Sequence, residues 1–346
     1  MSKSDEQRSR FLLLYSGEDT GYIFSMSLNG TIAPAITMQG VGQITVIWGD
    51  GNTDSYTLTG VNQNITHTYG AGGTYNVKIK HAEQITKFDT STNNNYSFDL
   101  SELEKFNENF YYFLVYGSNT ITGNLSSLSG LSALYYFRIT GSNTITGNLS
   151  SLSGLSALNY FLVHGSNTIT GNLSSLSGLS ALNYFVVIGS NTITGDLSSL
   201  NGLSALYYFQ VYGSNTITGN LSSLSGLSAL SYFRIYGSNT ITGDLSSLNG
   251  LSALYYFLVY GSNTISDYTT STWTQTSFNH YEVTPAAGSG LSSSEVDQLL
   301  IDMDTGITWS GSGKMLWLAG NNAARTSASD AAVTSLQGKG VTVTTN

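Results

Sequence analysis

A phenylalanine falls at 113, 137, 161, 185, 209, 233 and 257, and each opens an almost identical stretch of 24 residues. Repetition at one fixed period of this size is the mark of a solenoid, whose copies bury their apolar side chains only against their neighbours. One copy reads Leu128, Leu131, Leu134, Phe137, Ile139, Asn143, Ile145, Gly147, Leu149. Apolar steps of three predict a loose turn, whereas Phe-x-Ile has the two-residue period of a short strand. Successive strands can then stack in parallel about 4.8 Å apart. The asparagine after the strand recurs as Asn119, Asn143, Asn167, Asn191, Asn215, Asn239 and Asn263. An amide buried there can bond the backbone of neighbouring turns. Leaving it unpaired costs about 1–3 kcal/mol, so a structural Asn ladder with strict recurrence is expected.

These residues resemble the leucine-rich repeat, in particular the kind in which L-x-x-L-x-L-x-x-N is followed by L-x-G-x-(I/L). The match is Leu134-x-x-Phe137-x-Ile139, then Asn143-x-Ile145-x-Gly147-x-Leu149. The asparagine comes one residue later than in the family, because Gly141-Ser142 adds a position. The resemblance covers residues 82–346. It implies a superhelix with its parallel strands on the concave side, and a scaffold for binding whose ligand the fold does not name.

Residues 1–81 read differently. Ile44-Thr-Val-Ile-Trp48 and Tyr75-Asn-Val-Lys-Ile79 alternate, with turns at Gly49-Asp-Gly51 and Gly70-Ala-Gly-Gly73, which predicts a small antiparallel β-sandwich. Trp48-Gly-Asp-Gly51, His67-Thr-Tyr69 and Gly73-Thr-Tyr75-Asn-Val77, in that order, resemble the PKD domain, an immunoglobulin-like module. That resemblance implies a spacer or a contact with other virion or surface proteins. Residues 82–112 read as a degenerate first turn. At the other end, Ser292-x-x-Glu295 before Val296, Leu299 and Leu300 is a capping box opening a helix. Leu316-x-Leu318 reads as a last divergent repeat, Ser327–Leu336 as a second helix and Val341-Thr-Val343 as a closing strand. The stretch from Leu318 to Val343 resembles C-terminal caps of repeat-bearing tail and surface proteins of bacteria and their phages. The fold expected is therefore mainly β: an N-terminal β-sandwich (1–81), a cap turn (82–112), a leucine-rich-repeat solenoid with a parallel β-sheet (113–264) and a small α/β C-terminal cap (265–346).

Composition narrows the function. Of 346 residues only 10% are charged, the net charge is −9, and the seven copies hold two basic residues, Arg138 and Arg234. That argues against nucleic acid as a partner. Without cysteine there is neither a disulfide framework nor a thiolate metal site. The run Phe11–Tyr15 is too short for a signal-peptide core or a membrane span, so neither export by a visible signal nor membrane insertion is expected. His67, His81, His164 and His280 are scattered without metal-ligand spacing, and Asp196 and Asp244 lie two turns apart. No catalytic constellation, metal site or cofactor is expected. Asp50 and Asp54 read as turn aspartates, with calcium as the lesser reading.

The informative positions are those that differ among the copies. With Phe137 and Ile139 pointing inward, Tyr136, Arg138 and Thr140 point out. The position of Arg138 reads Leu114, Arg138, Leu162, Val186, Gln210, Arg234, Leu258; that of Thr140 reads Tyr116, Thr140, His164, Ile188, Tyr212, Tyr236, Tyr260. Beside them Tyr136, Tyr160, Tyr184, Tyr208, Tyr232 and Tyr256 form a row. Ser126, Ser127 and Thr144, expected to be exposed as well, hold still. Variation gathered on one face predicts a ligand-binding surface of Tyr136, Arg138, Tyr160, His164, Tyr184, Tyr208, Gln210, Tyr212, Tyr232, Arg234, Tyr236, Tyr256 and Tyr260. Aromatic rows suit protein hot spots or sugar rings, and equally plain cross-strand stacking. A second series, Thr144-x-Thr146 and its equivalents, resembles ice-binding surfaces but is expected to lie on an irregular turn, where hydroxyls serve the backbone. The sequence thus predicts a non-enzymatic recognition or adhesion protein, binding a cell-surface glycan or protein at the host-attachment end of a phage tail or on a bacterial surface. The alternative is a structural spacer or decoration.

Overall fold

The computed structural model describes residues 22–30, 33–90 and 95–346, so the run Phe11–Tyr15 lies outside the described residues. Residues 1–144 and 145–346 form two compact units.

In the first unit, β1 (Phe24–Asn29), β2 (Ala35–Ile47), β3 (Thr53–Thr59), β4 (Gln63–Thr66) and β5 (Thr74–Lys80) pair antiparallel. The central strand, β2, has two sets of partners. Val41–Ile47 pairs with β3 and, from Thr45, with β5, while Ala35–Met38 pairs with β4. Alternation explains this, since Ile36, Met38, Ile44 and Val46 are fully buried. β6 (Ile85–Thr90) lies antiparallel to β2 and parallel to β8 (Tyr112–Asn124), and β7 (Asn95–Asp99) pairs with β1 and with β8. Phe88 is thereby aligned with Phe113 at a ring separation of 5.8 Å, and Phe113 with Phe137 of β9 (Tyr136–Asn148) at 5.4 Å. The turn predicted around Asp50 closes on itself. Asp50 accepts from the Asn52 amide and meets the His67 ring at 2.8 Å, that ring stacks on Trp48, and Trp48 donates to Asp54 at 2.7 Å.

The second unit is a parallel ladder. β10 (Tyr160–Asn172), β11 (Tyr184–Asp196), β12 (Tyr208–Asn220), β13 (Tyr232–Asp244) and β14 (Tyr256–Asp267) pair each with the next, followed by β15 (His280–Pro285), β16 (Met315–Trp317) and β17 (Thr342–Thr344). Phe161, Phe185, Phe209, Phe233 and Phe257 are fully buried and stack at 5.5–5.6 Å. Each such side chain contributes about 1.5–3 kcal/mol by burial.

The extra residue between strand and asparagine appears as a register shift in the ladder, for instance between Val211 and Asn215. Gly237 sits there at φ +143°, and a Cβ on it would lie 2.5 Å from the Asn215 carbonyl oxygen, so only glycine fits. Past this bulge the chain resumes pairing. The β-structure therefore runs 13 residues, through the Thr-x-Thr series, where an irregular turn was expected. A short 3-10 helix follows, such as Leu221–Leu224, whose N-cap Asn220 accepts from Ser222 N at 2.9 Å. Asp196 makes the same bond to Ser198, which is why the position takes Asn or Asp: only the oxygen is used. Ser127, expected on the surface, is buried in the same kind of turn, whereas Ser126 and Thr144 are exposed.

The end of the chain is a small helical element. Helix α1 (Ser293–Gly306) opens on the predicted capping box, with Ser292 N donating to Glu295 at 2.8 Å. Helix α2 (Asp330–Gly338) is tied to it through buried Asp297, which accepts from Thr326 and Ser329.

Candidate ligand-binding face

The asparagines are internal. Each Oδ1 accepts a backbone N–H from the preceding turn: Tyr96 to Asn119, Ile121 to Asn143, Ile145 to Asn167, Ile169 to Asn191, Ile193 to Asn215, Ile217 to Asn239 and Ile241 to Asn263, at 2.8–3.0 Å. Each Nδ2 from Asn191 to Asn263 donates to a carbonyl of the following turn, as Asn191 does to Tyr212 at 2.9 Å. All seven amides are fully buried, so they set the register of the strands and meet no ligand.

The outward side of the strands is organised in columns. In register with one another are Tyr160, Tyr184, Tyr208, Tyr232, Tyr256 and His280, and beside them Val186, Gln210, Arg234, Leu258 and Glu282. His280 and Glu282 extend both columns by one strand and were missed in the sequence. The signal was there, for Tyr281 keeps the period from Phe257 and Val283 keeps the alternation.

Ring geometry decides what this face can offer. Tyr160–Tyr184, Tyr184–Tyr208 and Tyr208–Tyr232 stack face to face at 4.4, 4.4 and 4.8 Å, Tyr256 stacks on His280 at 4.2 Å, and Tyr112 on Tyr136 at 4.5 Å. A third column does the same, with Tyr212–Tyr236 at 3.9 Å and Tyr236–Tyr260 at 4.8 Å. The ring faces are covered by one another. What remains half-exposed is a rim of ring edges and hydroxyls, the positive side of the aromatic quadrupole. The sequence reading of flat apolar area for sugar rings is corrected on that point. Gln210 is corrected too: it is buried, and its Oε1 is taken by the Tyr208 hydroxyl at 2.7 Å. At the position before the strand, Asn159 and Asn183 donate to Ala181 and Ala205 of the next turn, so part of that variation serves the backbone.

Between the tyrosine columns lies Arg234. Its Nη2 donates to the Tyr212 hydroxyl at 2.9 Å and the Tyr236 hydroxyl at 3.4 Å, and its guanidinium stands 4.9 Å from the Tyr256 ring centre. Its Nε is buried without a partner. Burial opposes its charge, but the Tyr236 hydroxyl and the neighbouring Tyr212 and Tyr256 outweigh this and hold its pKa above the ordinary arginine value. Burial pushes the Tyr212 phenol up as well. One strand past Leu258, Glu282 accepts from the Tyr260 hydroxyl and meets His280 at 3.2 Å, and Tyr260 is raised by burial and by that carboxylate. Burial keeps His280 below the usual imidazole pKa. His164 is exposed on β10, and Arg138 lies 5.5 Å over the Tyr116 ring.

Leucine turns, parallel strands at a constant period and a buried asparagine in every step have now been placed. The repeats form a solenoid-like stack of parallel strands joined through leucine turns. No family model and no curated protein matches the sequence. Among solved structures, the chain is similar to the PEPR1–AtPEP1 complex (16% identity, 76% of this chain and 35% of that one, TM-score 0.49). It is also similar to the leucine-rich-repeat ectodomain of the receptor kinase GASSHO1/SCHENGEN3 from Arabidopsis thaliana (17%, 75% and 38%, TM-score 0.45). A leucine-rich-repeat protein of Leptospira interrogans is a third (13%, 65% and 64%, TM-score 0.35). The chain spans little more than a third of the length of the first two. Among the described residues, no helix is long and apolar enough to cross a membrane, and no group of three or more His, Asp or Glu could hold a metal ion.

Proposed function

We propose that this chain is a non-enzymatic recognition protein which binds a cell-surface glycan or protein through the outward face of its strands, as part of a phage tail or a bacterial surface. The observation carrying this reading is that an otherwise repeated sequence varies mainly on that one face, where the variation builds the Arg234–tyrosine cluster. The PKD-like N-terminal region, a small sandwich in this reading, serves as spacer or as the contact to neighbouring virion or surface proteins. The test is a printed array of cell-surface glycans and surface proteins probed with the full chain and with a Tyr212→Ala, Tyr236→Ala double variant. Losing that stacked pair costs about 0.5–1.5 kcal/mol beyond its burial, so melting is followed alongside. A folded variant that no longer binds supports the reading; undiminished binding removes it.

One observation favours a second reading, that the Thr-x-Thr series is itself a binding surface. Thr168, Thr192, Thr216 and Thr240 are exposed on parallel strands, and past the bulge each faces the second threonine of the preceding copy, Thr170 opposite Thr192, Thr194 opposite Thr216 and Thr218 opposite Thr240. Ice, or another periodic ligand, suits an invariant row better than a unique epitope does.

A further inference from the structure

We infer that the Arg234 cluster recognises a carboxylate, and that the ligand is an acidic sugar of a cell-surface glycan; this deepens the proposed function and rests on it. Arg234 is one of two basic residues in the seven copies of a chain of net charge −9, and among the described residues no ion pair holds it. Its guanidinium meets tyrosine hydroxyls and ring faces, with Gln210 and Leu258 on the flanking strands, and both of its hydrogen bonds leave from Nη2. The outer edge of the guanidinium is thus left with donors that a planar anion can take two at a time. A half-buried cation without a counter-ion is a cost in the free protein, offset when an anion pairs with the Nη1 and Nη2 end of the guanidinium; the buried Nε lies out of its reach.

The surroundings choose among anions. A hydroxyl that accepts from a guanidinium keeps its own proton for donation; with Tyr212 bonded to Tyr236, the pair leaves one such donor beside the charge. The ring edges carry the same sign. Apolar anchors, by contrast, find little open ring face: the columns stack at 3.9–4.8 Å except between Tyr232 and Tyr256, 6.1 Å apart, where the Arg234 guanidinium itself lies 4.9 Å from the Tyr256 ring. Protein partners draw most of their affinity from a few anchors buried in well-packed, desolvated pockets, and this rim offers none. A ligand rich in hydroxyls with one carboxylate matches the rim, whereas a neutral sugar stacking on a ring face does not.

The experiment prints glucuronate- and sialate-terminated glycans, the same glycans with the carboxyl reduced to an alcohol, and acidic peptides, and probes them with wild type, Arg234→Gln, Arg234→Lys and the Tyr212→Ala, Tyr236→Ala pair. Expected is binding to carboxylated glycans alone, weakened at least about tenfold by Arg234→Gln and partly kept by Arg234→Lys, since the lysine retains charge without the fork. The melting temperature of Arg234→Gln should equal or exceed that of wild type, which an arginine serving only to clamp the tyrosine stack would not permit. Binding of reduced and carboxylated glycans alike, insensitive to Arg234→Gln but lost in the tyrosine pair, would overturn the inference and leave the binding face intact. Capture of acidic peptides without glycans, or of none of the arms, also overturns it. Binding that survives Arg234→Gln and the tyrosine pair alike takes down the inference and the proposed function together.

Discussion

At the scale of single residues, the buried asparagine and the aspartate of the Trp48 turn make separate predictions. Asn191 takes one backbone N–H and gives one to a carbonyl, both inside the stack. Asn191→Ala should cost about 1–3 kcal/mol, read by chemical denaturation, because two backbone groups lose their partner where water does not reach. An unchanged midpoint would show that the amide does not hold the strands. The Asp50 carboxyl is held down at about 2, chiefly by its bond to the His67 ring. Its pKa is lower folded than unfolded, so its contribution to stability is whole above about 3.8 and is lost as pH falls towards about 2. Asp50→Asn should flatten that part of the acid-denaturation curve. The asparagine was legible in the sequence because burial fixes it in every copy. Burial of Gln210 was not, since alternation along the strand places it outward and says nothing of the Tyr208 hydroxyl that takes its oxygen or of Val186 and Arg234 on the flanking strands.

At the scale of the element, the sequence placed the first half of each strand and missed the second. Phe-x-Ile announces itself by its period, but the Gly-Ser step breaks that period, and a β-bulge there leaves pairing intact on both sides. The Thr-x-Thr half is therefore strand. Thr194 and Thr218 place their hydroxyls 3.4 Å from the Gly171 and Gly195 carbonyls, whereas Thr192 and Thr216 face solvent. Changing Thr192 to Val and Thr194 to Ala should leave attachment through the tyrosine face unaltered and melting within about 1 kcal/mol, as expected for exposed strand positions with weak hydroxyl bonds. Thermal hysteresis of the wild-type chain in ice-growth assays, abolished by this double change, would make the threonine face the functional one. The divergent strand at His280 was readable at the correct phase. It escaped notice because charge and an aromatic swap disguise the Phe-x-Val core.

At the scale of the whole molecule, the two units differ in how their strands are joined. In residues 145–346 hydrogen bonds pass from each strand to the next in parallel, so stability is close to a sum over neighbouring turns. Excising residues 185–208, one complete copy, rejoins Tyr184 to Phe209 and restores the same neighbours. The shortened chain should fold with unchanged spectral signature and a lower denaturation midpoint, and should keep Arg234 with Tyr236 and Tyr256. A collapsed or aggregated product would show that the copies are not independent steps. The sequence made this modularity plain, because invariance at every buried position fixes the step. It could not tell which exposed positions gather into one site.

That constant step has a consequence for inheritance. Where copies this alike in protein are also alike in their DNA, misaligned recombination between them would remove or add whole copies in frame. Because each junction rebuilds the register already present, as Phe185 over Phe209 shows, the products remain foldable. Such a change of copy number would move Arg, Gln, His and Tyr along the face while leaving the register that holds them unchanged.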